Sequence, residues 1–100
     1  MSKIQSIAYN VIVQNFYSSD EVEVTGLCNG FTARNIGDTT AFINGVRLLP
    51  SLVAGQTGEV MQIGGNLGEL YKGRIQLSFL GAGVAPNIEI TQKFYINDPR

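Results

Sequence analysis

The stretch Ala41-Phe42-Ile43-Asn44-Gly45-Val46-Arg47-Leu48 constrains this chain more than any other. Asn-Gly between two short apolar runs is a strong hairpin signal. A type I′ turn needs positive φ at both central residues, and these two residue types reach it at least cost. The same period-two alternation recurs on either side. In residues 7–16, Ile7, Tyr9, Val11 and Val13 alternate with Ala8, Asn10, Ile12 and Gln14. Ile4, Ile7, Ala8 and Val11 also match helical spacing, but the β-branched content favours a strand. Ser18-Ser19-Asp20 turns the chain into residues 21–25, where the glutamates are expected to face solvent and the valines the core.

Asn29-Gly30 reads as another turn, followed by strands at 31–36 and 40–43. Leu49-Pro50 ends the hairpin, because proline has no N–H to give a ladder. Residues 51–57 read as a loop, 59–63 as a strand and 64–68 as a flexible connection. In residues 70–80, Ile75, Leu77 and Phe79 share one face while Arg74, Gln76 and Ser78 share the other. Gly81-Ala82-Gly83 is a turn, and Pro86 keeps residues 84–87 out of a central ladder. The last run, 88–96, carries Ile88, Ile90, Phe94 and Ile96 on a stripe that Gln92 interrupts.

About eight short strands and no long helix define an all-β chain. The expected architecture is a small antiparallel β-sandwich, immunoglobulin-like or jelly-roll, with a small barrel as the other closure. One hundred residues accommodate one domain, 1–100, with a thin core.

Charged residues make up only 15% of the chain and the net charge is −1. Seven scattered basic residues form no phosphate-tracking stripe, so nucleic acid is not an expected partner. No apolar run approaches the ~20 residues of a membrane-spanning helix, and residues 1–6 lack the apolar core of a signal peptide. Synthesis in the cytoplasm without signal-peptide export, and no membrane partner, are therefore expected. Histidine is absent, which removes the imidazole of Ser-His-Asp and Cys-His machinery and most zinc and copper sites.

Cys28 is the only cysteine and reads as a small buried hydrophobe. Asp20, Glu21 and Glu23 offer oxygen ligands, but their alternation is that of a solvent-facing strand. Gly64-Gly65-Asn66-Leu67-Gly68 lacks the Gly-Lys-Ser/Thr ending and the following helix of a phosphate loop. No catalytic, metal-binding or cofactor-binding residue is assigned, no cofactor is expected, and the chain is expected not to be an enzyme.

Residues 33–50, Ala33-Arg34-Asn35-Ile36-Gly37-Asp38-Thr39-Thr40-Ala41-Phe42-Ile43-Asn44-Gly45-Val46-Arg47-Leu48-Leu49-Pro50, resemble a pattern of small accessory structural proteins of tailed bacteriophages. There a strand ending in Asn-x-Gly-Asp/Thr-Thr leads to an Asn-Gly hairpin, then Leu-x-Pro and a loop. Residues 51–58 depart from the Pro-Gly-Glu/Asp-Ser continuation of that pattern. The resemblance implies a β-sandwich that decorates or cements a capsid, or joins tail and fibre components. It carries over no functional residue.

The leading expectation is thus a virion protein that stabilises a repetitive capsid or tail assembly through protein–protein contacts, as a homo-oligomer or as many copies on a lattice. Its candidate contacts are Phe16, Tyr17, Leu52, Val53 and Leu67, large apolar residues in expected turns and loops. The alternative is a carbohydrate- or receptor-binding β-sandwich module, with Tyr9, Tyr17, Tyr71 and Tyr95 as its stacking residues.

Overall fold

The computed structural model describes residues 9–53, 55–81 and 85–97. They form eight strands: β1 (Tyr9–Phe16), β2 (Asp20–Val24), β3 (Cys28–Asn35), β4 (Ala41–Ile43), β5 (Val46–Leu48), β6 (Val60–Gly64), β7 (Gly73–Phe79) and β8 (Ile88–Tyr95). Two four-stranded antiparallel sheets result, ordered β1-β8-β3-β6 and β2-β7-β4-β5. The pairing is nested: β1 meets β8, β2 meets β7, β3 meets β6 and β4 meets β5. The β3–β8 and β4–β7 ladders join these pairs into sheets.

Alternation along each strand supplies the core. Phe31, Ala33, Ile88 and Ile90 of the first sheet pack against Ala41, Ile43, Leu48, Ile75 and Leu77 of the second. Phe16, Val22, Val24, Met61, Ile63, Tyr71 and Phe79 close the margins of that cluster. Each fully buried branched side chain contributes about 1.5–3 kcal/mol, so these short strands stabilise one another chiefly across the sandwich. Val22 and Val24 face inward between exposed glutamates, as the alternation predicts. Ile75 and Leu77 are buried and Phe79 is half-buried, while Arg74, Gln76 and Ser78 are exposed.

The Asn44-Gly45 turn joins β4 to β5, with φ of 49° and 82° at its two central residues. Its tip is also tied to β7. The Asn44 N–H donates to the Gln76 carbonyl (2.9 Å), and the Gln76 N–H donates to Asn44 Oδ1 (2.8 Å).

Three expectations change. Asn29-Gly30 is not a turn but lies buried inside β3, at an irregularity in the β3–β8 register between Cys28 and Gly30. Glycine is required at position 30 because a Cβ there would sit 2.2 Å from the Ile63 carbonyl oxygen of β6. Gln92 does not interrupt the inward stripe; it is buried in β8 opposite Phe31, whereas Ile96 lies beyond the strand and is exposed. The connection at 64–68 is held in place by hydrogen bonds to β3 and β8. The expected strand and helical readings of residues 4–8, the turn at Ala82-Gly83 and residue Val84 lie outside the described residues.

Candidate functional site

One end of the sandwich carries a cleft of about 310 Å³, near the lower limit of the ~300–1,000 Å³ range of small-molecule sites. Four segments build it: Tyr17 after β1, residues 36–38 after β3, Ser51, Val53, Gly55 and Gln56 between β5 and β6, and residues 85–87 before β8. Its floor is a backbone pairing. Ile36 N–H donates to the Asn87 carbonyl and Asp38 N–H to the Ala85 carbonyl, each at 3.1 Å. The Asp38 carboxylate accepts from Ala85 N–H (3.0 Å) and from the Thr39 hydroxyl (2.7 Å). Gly37 lets the two segments approach this closely, since a Cβ there would lie 2.3 Å from Asn87 N.

The opposite wall is the β5–β6 loop. Ser51 Oγ accepts from Val53 N–H (3.0 Å), and Gln56 N–H donates to the Val53 carbonyl (3.2 Å), so Val53 is fixed from both sides. Gly58 N–H and Asn35 N–H anchor the end of that loop to β3, bonding Asn35 O and Glu59 O at 2.8 and 3.1 Å. Asn35 itself is fully buried beneath the cleft. Its amide donates to the carbonyls of Thr39 (2.8 Å) and Leu48 (3.0 Å), and its Oδ1 accepts from Gly37 N–H (3.2 Å). One side chain thereby ties the β3–β4 connection to the end of β5.

Two of the five candidate contacts meet here. Tyr17 (63% exposed) and Val53 (55% exposed) both line the cleft, and the fully exposed Leu52 adjoins Val53. Phe16 turns the other way, opposite Ile88, and packs against the core. Leu67 is exposed at the far end of the sandwich, in the loop that bonds Tyr95, seven residues along β8 from Ile88. Ile36 and Pro86, which sequence reasoning passed over, complete the apolar lining. Neither carried a signal of its own, because only the fold brings residues 36 and 86 together.

At that far end Asn29 organises the 64–69 loop. Its amide nitrogen points at the carbonyls of Asn66 (2.8 Å) and Glu69 (3.2 Å) and at the Tyr95 hydroxyl (2.7 Å). Tyr95 Oη also accepts from Gly68 N–H (2.9 Å). Asn29 Oδ1 is buried without a hydrogen-bond partner among the described residues. Cys28 is fully buried beside it, and burial pushes its thiol pKa upward against the weaker opposing pull of backbone hydrogen bonds with Gly30 and Lys93. A thiol held protonated in this way is a packing group rather than a ready nucleophile.

The four tyrosines do not converge on one platform. Tyr9 stacks on Tyr95 at 5.1 Å beneath the Lys93 ammonium, Tyr71 meets Phe31 edge-on in the core margin, and Tyr17 stands at the opposite end. Glu21 pairs with Arg74 at 3.0 Å across β2 and β7. Among the described residues, no three His, Cys, Asp or Glu side chains converge as metal ligands. Asp38 is the single carboxylate on the described cleft lining, and its oxygen already serves the loop framework. The cleft offers shape, an aromatic ring, aliphatic walls and a few amide and hydroxyl groups.

Comparison with family models, with curated proteins and with solved structures returned no match to this chain.

Proposed function

We propose that the chain is a protein-binding structural module of a tailed-phage particle, docking on a repeated capsid or tail subunit through the Tyr17–Val53 end of its sandwich. The observation that carries this reading is the joint exposure of Tyr17, Leu52 and Val53 around a cleft whose floor and walls are hydrogen-bonded in place. An exposed cluster of large apolar side chains on a rigid frame is the composition of an interface centre, where an aromatic anchor and its aliphatic neighbours exclude water. The nested strand order has the form of a jelly roll, an architecture that serves viral capsid and lectin domains alike. That order is compatible with a particle role; the function itself is argued from the surface.

Binding many copies to a lattice would stabilise the assembled state by mass action. The test is quantitative proteomics and immunogold labelling of purified particles from the source, followed by add-back of the purified chain to particles lacking it. The expected result is the chain at a fixed ratio to the major subunit, with rebinding weakened at least tenfold by Tyr17→Ser combined with Val53→Ser. A chain found only in the soluble lysate, or a double variant that rebinds like the parent, overturns the proposal.

A further inference from the structure

Four strands stand at sheet edges: β1 and β6 in one sheet, β2 and β5 in the other. Unpaired edges are normally blunted by charge, shortness, proline or a bulge. β2 carries Asp20, Glu21 and Glu23; β5 has three residues including Arg47; β6 has five and ends on Gly64. β1 has none of these devices. It runs eight residues in unbroken register with β8, without charge or proline, and exposes Val11 (56%), Ile12 (47%) and Val13 (54%) on both of its faces. Among the described residues no strand covers its outer edge.

We infer that β1 pairs antiparallel with β1 of a second copy of this chain across a two-fold axis, in the register centred on Ile12. The register follows from ladder geometry. In an antiparallel pair, opposed residues must point their backbone groups the same way, so a self-paired strand centres on a residue and not between two. Centring on Ile12 opposes Ile12 to Ile12, Val11 to Val13, Asn10 to Gln14 and Tyr9 to Asn15. The three central residues then meet apolar partners, and the amides meet amides. Centring on Val13 would instead oppose Ile12 to Gln14 and Val11 to Asn15. Centring on Val11 would leave Gln14 to Phe16 of each strand unpaired by the other.

The neutral strip offers a foreign strand no charge to recognise, and it places no like charges opposite one another when it meets itself. The product is one continuous eight-stranded sheet, β6-β3-β8-β1 joined to its two-fold mate. A strand edge is smaller than the ~800 Å² per partner of a standard interface, so the free dimer is weak and concentration-dependent. It becomes effective where copies are held close together, and in that use it rests on the assembly reading above.

Sedimentation velocity on the purified full chain from micromolar to millimolar concentration reads this directly. The expected result is a reversible monomer–dimer equilibrium that Val11→Lys with Val13→Lys weakens at least tenfold, by setting lysine against lysine twice. Val11→Lys with Val13→Glu is expected to restore the dimer, because only the Ile12-centred register opposes those two positions. Ile12→Cys is expected to cross-link into a dimer under mild oxidation, since opposed antiparallel Cα atoms lie within disulfide reach and native Cys28 is buried. Circular dichroism establishes that each variant is folded.

A chain monomeric at every concentration with no Ile12→Cys cross-link overturns the inference, as does a dimer indifferent to the lysine pair. Loss of the dimer in the Lys/Glu variant refutes the register. A monomer that still binds particles through Tyr17 and Val53 defeats only this inference, and a dimer that binds no particle defeats only the assembly reading.

Discussion

Asn35 ties the β3–β4 connection to the end of β5 from a position with no solvent access, and its two amide N–H groups donate to the Thr39 and Leu48 carbonyls. Replacing it with alanine removes both of these buried bonds and the acceptor of the Gly37 N–H, and each lost bond or unmet buried group costs roughly 1–3 kcal/mol. Asn35→Ala is therefore expected to lower unfolding free energy by about 3 kcal/mol in urea titration, with the slope of the transition unchanged. A loss under about 1 kcal/mol would mean that water replaces the amide. The sequence presents Asn35 only as an alternating strand residue before a turn. Its role was illegible because an asparagine in such a place is ordinarily exposed, and the Leu48 carbonyl that buries it comes from the next hairpin. Asn29 was misread for a related reason: Asn-Gly has turn chemistry wherever it occurs, yet here β6 presses so closely on residue 30 that only glycine fits beneath it. Cys28, by contrast, was legible because it is the only cysteine and no base in its stretch could activate it.

Among the elements, the β4–β5 hairpin was legible because its turn is local and its two strands are adjacent in sequence. The limits of β7 and β8 shifted by up to three residues where flanking glycine or proline gave no sharp stop. The more consequential difference concerns β1. Its alternation predicts a half-buried strand, yet Asn10 through Asn15 are exposed on both faces, and between the packed ends at Tyr9 and Phe16 the strand is held chiefly through the β8 ladder. Elements with few buried contacts open at lower free energy than the fold as a whole. In dilute solution, hydrogen exchange is expected to release the β1 amides at least a hundredfold faster than those of β3 and β8, which form the centre of the same sheet. Equal protection in all three strands would show that β1 is an integral part of the core.

At the scale of the molecule, a single ladder of the six among the described residues, β4–β5, joins strands that follow one another in the chain. The rest pair strands from opposite halves, down to β1 with β8. Closing such loops costs entropy before any distant contact forms, and chains of this topology fold in milliseconds to seconds. Stopped-flow refolding is expected in that window, and a microsecond phase recovering the full native signal would contradict it.

Alternation, turn chemistry and the absence of a long helical run were enough for the sequence alone to determine an all-β chain of two-faced strands, since those properties depend on residues two to four apart. The nested order of the strands, the gathering of Tyr17, Ile36, Val53 and Pro86 around one cleft, and the bare edge of β1 were decided by tertiary structure. These depend on which strand lies beside which. Many pairings satisfy the same alternation, and the choice among them is made by side chains packing across two sheets at once.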